Sequence, residues 1–176
     1  NKFLISLLTI ATVGACTYDF PEQAEPTFGD ADLTKIVSVG NSLTAGFMDN
    51  ALYTAGQNNS FPSIVAKQAA LIGTSDFIQP SVNSANGCSN PAGGCTQGRY
   101  YLKYSSTGSA GPYPTAGDGG ASLAPYAGSK TALNNWGVPG VTIQTALLGA
   151  TGGPSSGNPY YNPFYARIAS NPGVST

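Results

Sequence analysis

The chain has 176 residues, seven of them Lys or Arg and eight Asp or Glu, for a formal net charge of −1. That length suffices for one domain with a real core. So low a charge without any basic cluster excludes the electrostatic footprint of a nucleic-acid binder, so no nucleic-acid partner is expected.

The chain opens on Lys2 followed by Phe3, Leu4, Ile5, Leu7, Leu8 and Ile10, then small residues leading to Cys16. A basic residue, an apolar stretch too short to span a bilayer and a small-residue end together read as a signal peptide over residues 1–15. Val13-Gly14-Ala15-Cys16 resembles a bacterial lipobox. The resemblance implies that Cys16 becomes the first mature residue and carries lipid, anchoring the chain to a membrane of the bacterial cell envelope without a transmembrane span. The alternative is a buried free cysteine in a hydrophobic helix. Residues 16–34 are polar and proline-punctuated, with Asp19, Glu22, Glu25, Asp30 and Asp32 and no helical or strand period. They read as a flexible tether.

From Lys35 to Gly46 the sequence runs Lys-Ile-Val-Ser-Val-Gly-Asn-Ser-Leu-Thr-Ala-Gly. Ile36, Val37 and Val39 predict a short buried strand, and Gly40 permits a tight turn directly after it. Ser42 then stands at the carboxyl edge of a sheet, where open α/β folds keep their ligands. An ordinary strand-to-helix turn with Ser42 as N-cap fits the same residues. A phosphate-binding loop does not, because no Gly-Lys pair is present, and the glycine spacing also fails the dinucleotide fingerprint.

Gly40-Asn41-Ser42-Leu43-Thr44-Ala45-Gly46 resembles the first conserved block of the SGNH hydrolases, the GDSL-type esterases and lipases, with Asn41 where the family usually has Asp. In that family a serine activated by histidine attacks an acyl ester, and backbone N–H groups stabilise the oxyanion. This chain contains no histidine.

Ser60-Phe61-Pro62 introduces a helix in which Pro62 suits the first position, Val65, Ala69 and Ile72 form the apolar stripe, and Gly73 is the stop. Between about residues 79 and 130 the composition turns to Gly, Ser, Pro and Ala, with Tyr100, Tyr101, Tyr104, Tyr113 and Tyr126. This reads as an extended insertion whose tyrosines either cover a bound ligand or pin the loop down. Within it Cys88 and Cys95, the pair left once Cys16 is lipidated, are predicted to form a disulfide. Closing so short a loop contributes roughly 2–3 kcal/mol in the chain-entropy view and persists in an oxidising compartment. Zinc would find only two ligands there.

Leu133 to Trp136 are expected to end a strand, and Thr142 to cap a helix with Ile143, Ala146 and Leu147 on one apolar face, closed by Gly149. The intervening Asn135-Trp136-Gly137-Val138-Pro139-Gly140 resembles the second SGNH block, whose last glycine gives its N–H to the oxyanion hole. Gly140 is the matching position. Phe164 to Ala169 reads as a short helix.

Taken together, the resemblance covers about Lys35 to Gly149 apart from the insertion. It implies that residues 35–176 are the N-terminal part of a three-layer α/β/α, flavodoxin-like hydrolase domain with a parallel sheet. Ser42 would be nucleophile and oxyanion donor, and Gly140 the second donor. The substrate would be a small-molecule, carbohydrate or lipid ester, with no metal and no organic cofactor. Later blocks, Gly-x-Asn-Asp and Asp-x-x-His, would supply the oxyanion Asn, the base and its carboxylate, and neither stands in these 176 residues. The alternative from another class is a surface lipoprotein that binds glycan or lipid on an esterase-like scaffold without catalysis.

Overall fold

The computed structural model describes residues 20–169 except 26, 28, 31, 33, 74 and 75. Lipidation of Cys16, the signal peptide and the beginning of the tether lie outside the described residues, and those described from 20 to 34 form no helix or strand. The chain mixes short helices and strands around a small parallel pair, an α/β arrangement.

The pair consists of β1 (Ser38–Gly40) and β6 (Asn135–Gly137), in parallel register with Ser38 opposite Asn135 and Gly40 opposite Gly137. The Ser38 N–H donates to Asn134 O at 2.7 Å and the Val138 N–H to Gly40 O at 3.0 Å. Two consecutive asparagines make β6 the hub. Asn134 accepts from Ile78 N–H at 2.9 Å while its Nδ2 donates to Ile36 O at 2.9 Å, tying chain on both sides of the strand. Asn135, 2% exposed, donates through Nδ2 to Thr44 O and accepts from Gly137 N–H. Buried amides remain favourable only when their donors and acceptors are met, and these are.

Four-residue α1 (Ser42–Ala45) follows β1 and ends at Gly46, whose φ of 79° is left-handed. An antiparallel hairpin of β2 (Phe47–Met48) and β3 (Ala51–Leu52) comes next, then α2 (Thr54–Asn58) and α3 (Phe61–Ala70). Ser60 caps α3 as its sequence suggests, although Phe61 rather than Pro62 takes the first helical position. The buried face of α3 is Pro62, Ser63, Ala66 and Ala69. The expected stripe of Val65, Ala69 and Ile72 is therefore corrected: Ala69 is buried but Val65 is exposed, because the face that packs is rotated toward the small residues Ser63 and Ala66.

The stretch expected as an extended insertion holds a long hairpin, β4 (Gln97–Tyr104) with β5 (Ala110–Ala116). Alternation is hard to read there because Pro112 and Pro114 sit in β5, opposite Leu102 and Tyr100. A proline has no N–H to give to the ladder, so β5 is tolerated as an edge strand that cannot accept a further one. The predicted disulfide is present, Cys88 to Cys95, and both residues are buried. It closes a loop locked to the hairpin base by Ser89 N–H on Gln97 O and by Gly119 N–H on Cys95 O.

Two small clusters make the core: Ala45, Leu52 and Val82, and Leu133, Val138 and Ile168. Phe164 of the last helix among the described residues, α5 (Pro163–Ala166), packs against both and meets Phe47 edge-on at 6.1 Å. Beneath it, Arg167 donates to the carbonyls of Ala124, Pro80 and Ser81.

The expectation of a buried first strand is corrected too. Val37 and Val39 are 51% and 79% exposed, because β1 is an edge strand with no cover over that face among the described residues. Helix α4 (Ile143–Ala146) shows the same exposure. Thr142 caps it through a capping box with Thr145, as expected, yet Ile143 is 86% exposed and Leu147 is exposed as well. The helix also stops before Gly149, which opens the next turn instead of closing this one.

Candidate functional site

Ser42 is the first residue of α1, two positions beyond the end of β1. The helix is capped by Asn41, whose Oδ1 accepts from Leu43 N–H at 3.3 Å. Ser42 is thus not itself the N-cap, and its hydroxyl is not spent on the helix end; among the described residues nothing hydrogen-bonds to it. The short polar side chain that the turn requires is supplied by Asn41, and a neutral amide fulfils that role as a carboxylate would. Residue 40 must be small, since a Cβ on Gly40 would lie 2.2 Å from Thr44 Oγ1.

Gly140 stands three residues beyond β6, after Val138 and Pro139. Its φ of +75° is a left-handed conformation that glycine adopts without penalty. It is exposed, and its N–H donates to no acceptor among the described residues. Because β1 and β6 are adjacent, parallel and in register, Ser42 and Gly140 leave the same end of the same sheet. The helix carrying Ser42 is also held against β6 directly, through the Asn135 Nδ2 to Thr44 O bond of 3.0 Å and through Gly137, where a Cβ would meet Ala45 N at 2.3 Å.

Next to this edge lies an open apolar cavity of about 760 Å³. Val37, Val39, Trp136, Val141, Ile143 and Ile168 form much of its wall, and it reaches Gly40 and Asn41 without including Ser42 or Gly140. It is the uncovered face of β1 continued onto α4. The volume is in the range of small-ligand pockets, and the wall is mostly apolar, with Asn41 and Thr142 among its polar side chains.

Compared with protein-family models, curated proteins and solved structures, the chain matches none.

Among the described residues no three His, Cys, Asp or Glu side chains gather as metal ligands would. The tyrosines of the hairpin region divide. Tyr126 packs against the Leu133 cluster, whereas Tyr101, Tyr104 and Tyr113 are exposed, Tyr101 and Tyr113 facing each other across the two strands with Lys103 Nζ 5.8 Å from the Tyr113 ring. At the end of that hairpin, partial burial raises the Asp118 carboxyl, but hydrogen bonds from Ser84, Ser122 and the Gly120 N–H outweigh it and hold the group below its ordinary value. Asp118 therefore stays ionised at neutral pH and shapes a turn.

Sequence reasoning passed over Asn134, Asn162 and Arg167, which between them fix the sheet, the Pro139 carbonyl and two loop segments. A usable signal existed for the last. Arg167 is the only charged side chain after Lys130, set between Ala166 and Ile168.

Proposed function

We propose that this chain is the N-terminal part of an exported, lipid-anchored serine esterase of the SGNH type, cleaving acyl esters through an acyl-serine intermediate. The observation that carries the reading is the common sheet end shared by Ser42 and Gly140, enforced by the parallel β1–β6 register. In this reading Ser42 attacks the ester carbonyl, and the N–H groups of Ser42 and Gly140 receive the developing oxyanion. The exposed edge of β1 and the apolar face around Val39 are the surfaces that a longer three-layer, flavodoxin-like sheet would cover. The base, its carboxylate and the oxyanion Asn would be contributed by residues other than these 176.

Loss of a catalytic histidine costs on the order of 10⁶ in turnover. The 176-residue chain should accordingly resist labelling by a fluorophosphonate probe at Ser42; rapid stoichiometric labelling would mean that another group serves as base. The longest product encoded by the gene should hydrolyse nitrophenyl esters, and Ser42→Ala should abolish that turnover. Undiminished hydrolysis by the alanine variant would remove Ser42 from the mechanism.

A second reading, a glycan-binding surface lipoprotein, is favoured by the exposure of Tyr101, Tyr104 and Tyr113 on the hairpin. Flat amphipathic rings of this kind stack on sugars. Converting these three to Ser, with Tyr126 left in the core, should abolish retention on an insoluble neutral polysaccharide while leaving the melting temperature within about 3 °C, as expected of surface substitutions. Equal retention of variant and parent, or none by the parent, would eliminate this reading.

A further inference from the structure

We infer that Asn162 is a positioning residue for the oxyanion site, acting through the Pro139–Gly140 peptide; the inference rests on the esterase reading above. The Asn162 Nδ2 donates to Pro139 O at 2.8 Å. Pro139 O and Gly140 N–H belong to one peptide unit, which is planar and, with no cis bond among the described residues, trans. In a trans peptide the carbonyl and the following N–H point in opposite directions. A donor that grips the Pro139 carbonyl from one side therefore turns the Gly140 N–H toward the other, away from Asn162 and out of the protein's own hydrogen bonding.

Asn162 is suited to this because its own orientation is over-determined. Its Oδ1 accepts from Phe164 N–H at 2.9 Å and Tyr165 N–H at 3.1 Å, capping α5, and its backbone N–H donates to Thr151 O at 2.9 Å. Two backbone donors can be met only by the amide oxygen, so the amide nitrogen must be the atom facing Pro139. The Pro139–Gly140 peptide is the centre of a turn closed by Val141 N–H on Val138 O at 3.3 Å, and with glycine at position 140 such a turn can hold its central peptide in either of two flipped orientations, between which the Asn162 donor selects. Donation to the Pro139 carbonyl also polarises the amide and makes the Gly140 N–H the stronger donor. Nothing bulky intervenes on the Asn162 side: a Cβ on Gly140 would touch only Asn162 Nδ2, at 3.5 Å.

The discriminating variant is Asn162→Asp. It keeps a side-chain oxygen to cap α5 and removes the nitrogen donor, so the fold is retained while the grip on Pro139 is lost. Residual dipolar couplings on the ¹⁵N-labelled longest gene product should report a Gly140 N–H vector turned by some tens of degrees, with the Phe164 and Tyr165 amides unchanged. In the longest gene product the same substitution should lower kcat for a nitrophenyl ester roughly 10- to 100-fold, in line with partial loss of one oxyanion donor, and leave KM within about twofold. An unchanged Gly140 vector would overturn the inference, and so would a turned vector with unchanged kcat. If the unsubstituted product hydrolyses no ester, the esterase reading fails, and the couplings alone then decide whether Asn162 sets this peptide.

Discussion

Gly137→Ala should destabilise the chain by about 2–4 kcal/mol, at or slightly above the usual cost of overpacking a tight contact. A methyl group at this position would lie 2.3 Å from Ala45 N, 2.5 Å from Thr44 C and 2.7 Å from Ala45 Cα. All three are backbone atoms of α1, so no side chain can swing aside; either the helix lifts from β6 or the strand retreats. Lifting α1 stretches the Asn135 Nδ2 to Thr44 O bond and leaves the Asn135 amide, 2% exposed, with an unmet donor. For a chain of this size the loss corresponds to a fall of roughly 5–15 °C in melting temperature, readable by circular dichroism. Gly140→Ala is the control. Its Cβ meets nothing closer than 3.5 Å, so only the left-handed backbone is penalised, about 1–2 kcal/mol. If both variants melt alike, the close approach of Gly137 to the α1 backbone is not what seats α1 on β6.

Much of this region was legible from residue order. The β-branched run ending at Gly40 gave the strand and turn, Thr142 gave a cap, and two cysteines with six residues between them gave the disulfide, because each is a local rule acting over a few residues. At Val37, Val39, Ile143 and Leu147 the apolar pattern does not correspond to burial, for a nonlocal reason. Apolar period marks the side of an element able to be covered, and these four lie where no described residue covers them. The β4–β5 hairpin was hidden by its own chemistry, since Pro112 and Pro114 obscure a strand signal even while they occupy positions that an edge strand tolerates. The asparagines were hidden for a third reason. Asn134, Asn135 and Asn162 act through hydrogen bonds to partners as distant as Ile36 and Thr44, and no sequence pattern announces such pairings.

Arg167→Met should be the most damaging change remote from the sheet edge, lowering stability by about 2–4 kcal/mol, since hydrogen bonds from a charged donor contribute about 1.5–3 kcal/mol each and relief of the buried charge offsets part of the loss. Arg167 is 4% exposed, and burial brings its guanidinium down only to about 10, so it is charged at neutral pH. A buried cation ordinarily needs a carboxylate. Here, among the described residues, the guanidinium donates instead to the carbonyls of Ala124 at 3.1 Å, Pro80 at 3.2 Å and Ser81 at 2.9 Å, while Arg167 O accepts from Tyr126 N–H at 2.9 Å. One residue thus joins α5 to the segment after α3 and to the chain leaving the hairpin. Methionine preserves the length and apolar stem but none of the donors, whereas Arg167→Lys retains the charge on a single nitrogen that cannot span three carbonyls in a fork. The lysine variant should therefore recover only a minor part of the loss, with both melting several degrees below the parent. If lysine restores full stability, the net charge and not the three-pronged geometry is what the site requires; if methionine melts with the parent, the clasp contributes nothing and the loops around residues 80 and 124 are held by their own turns.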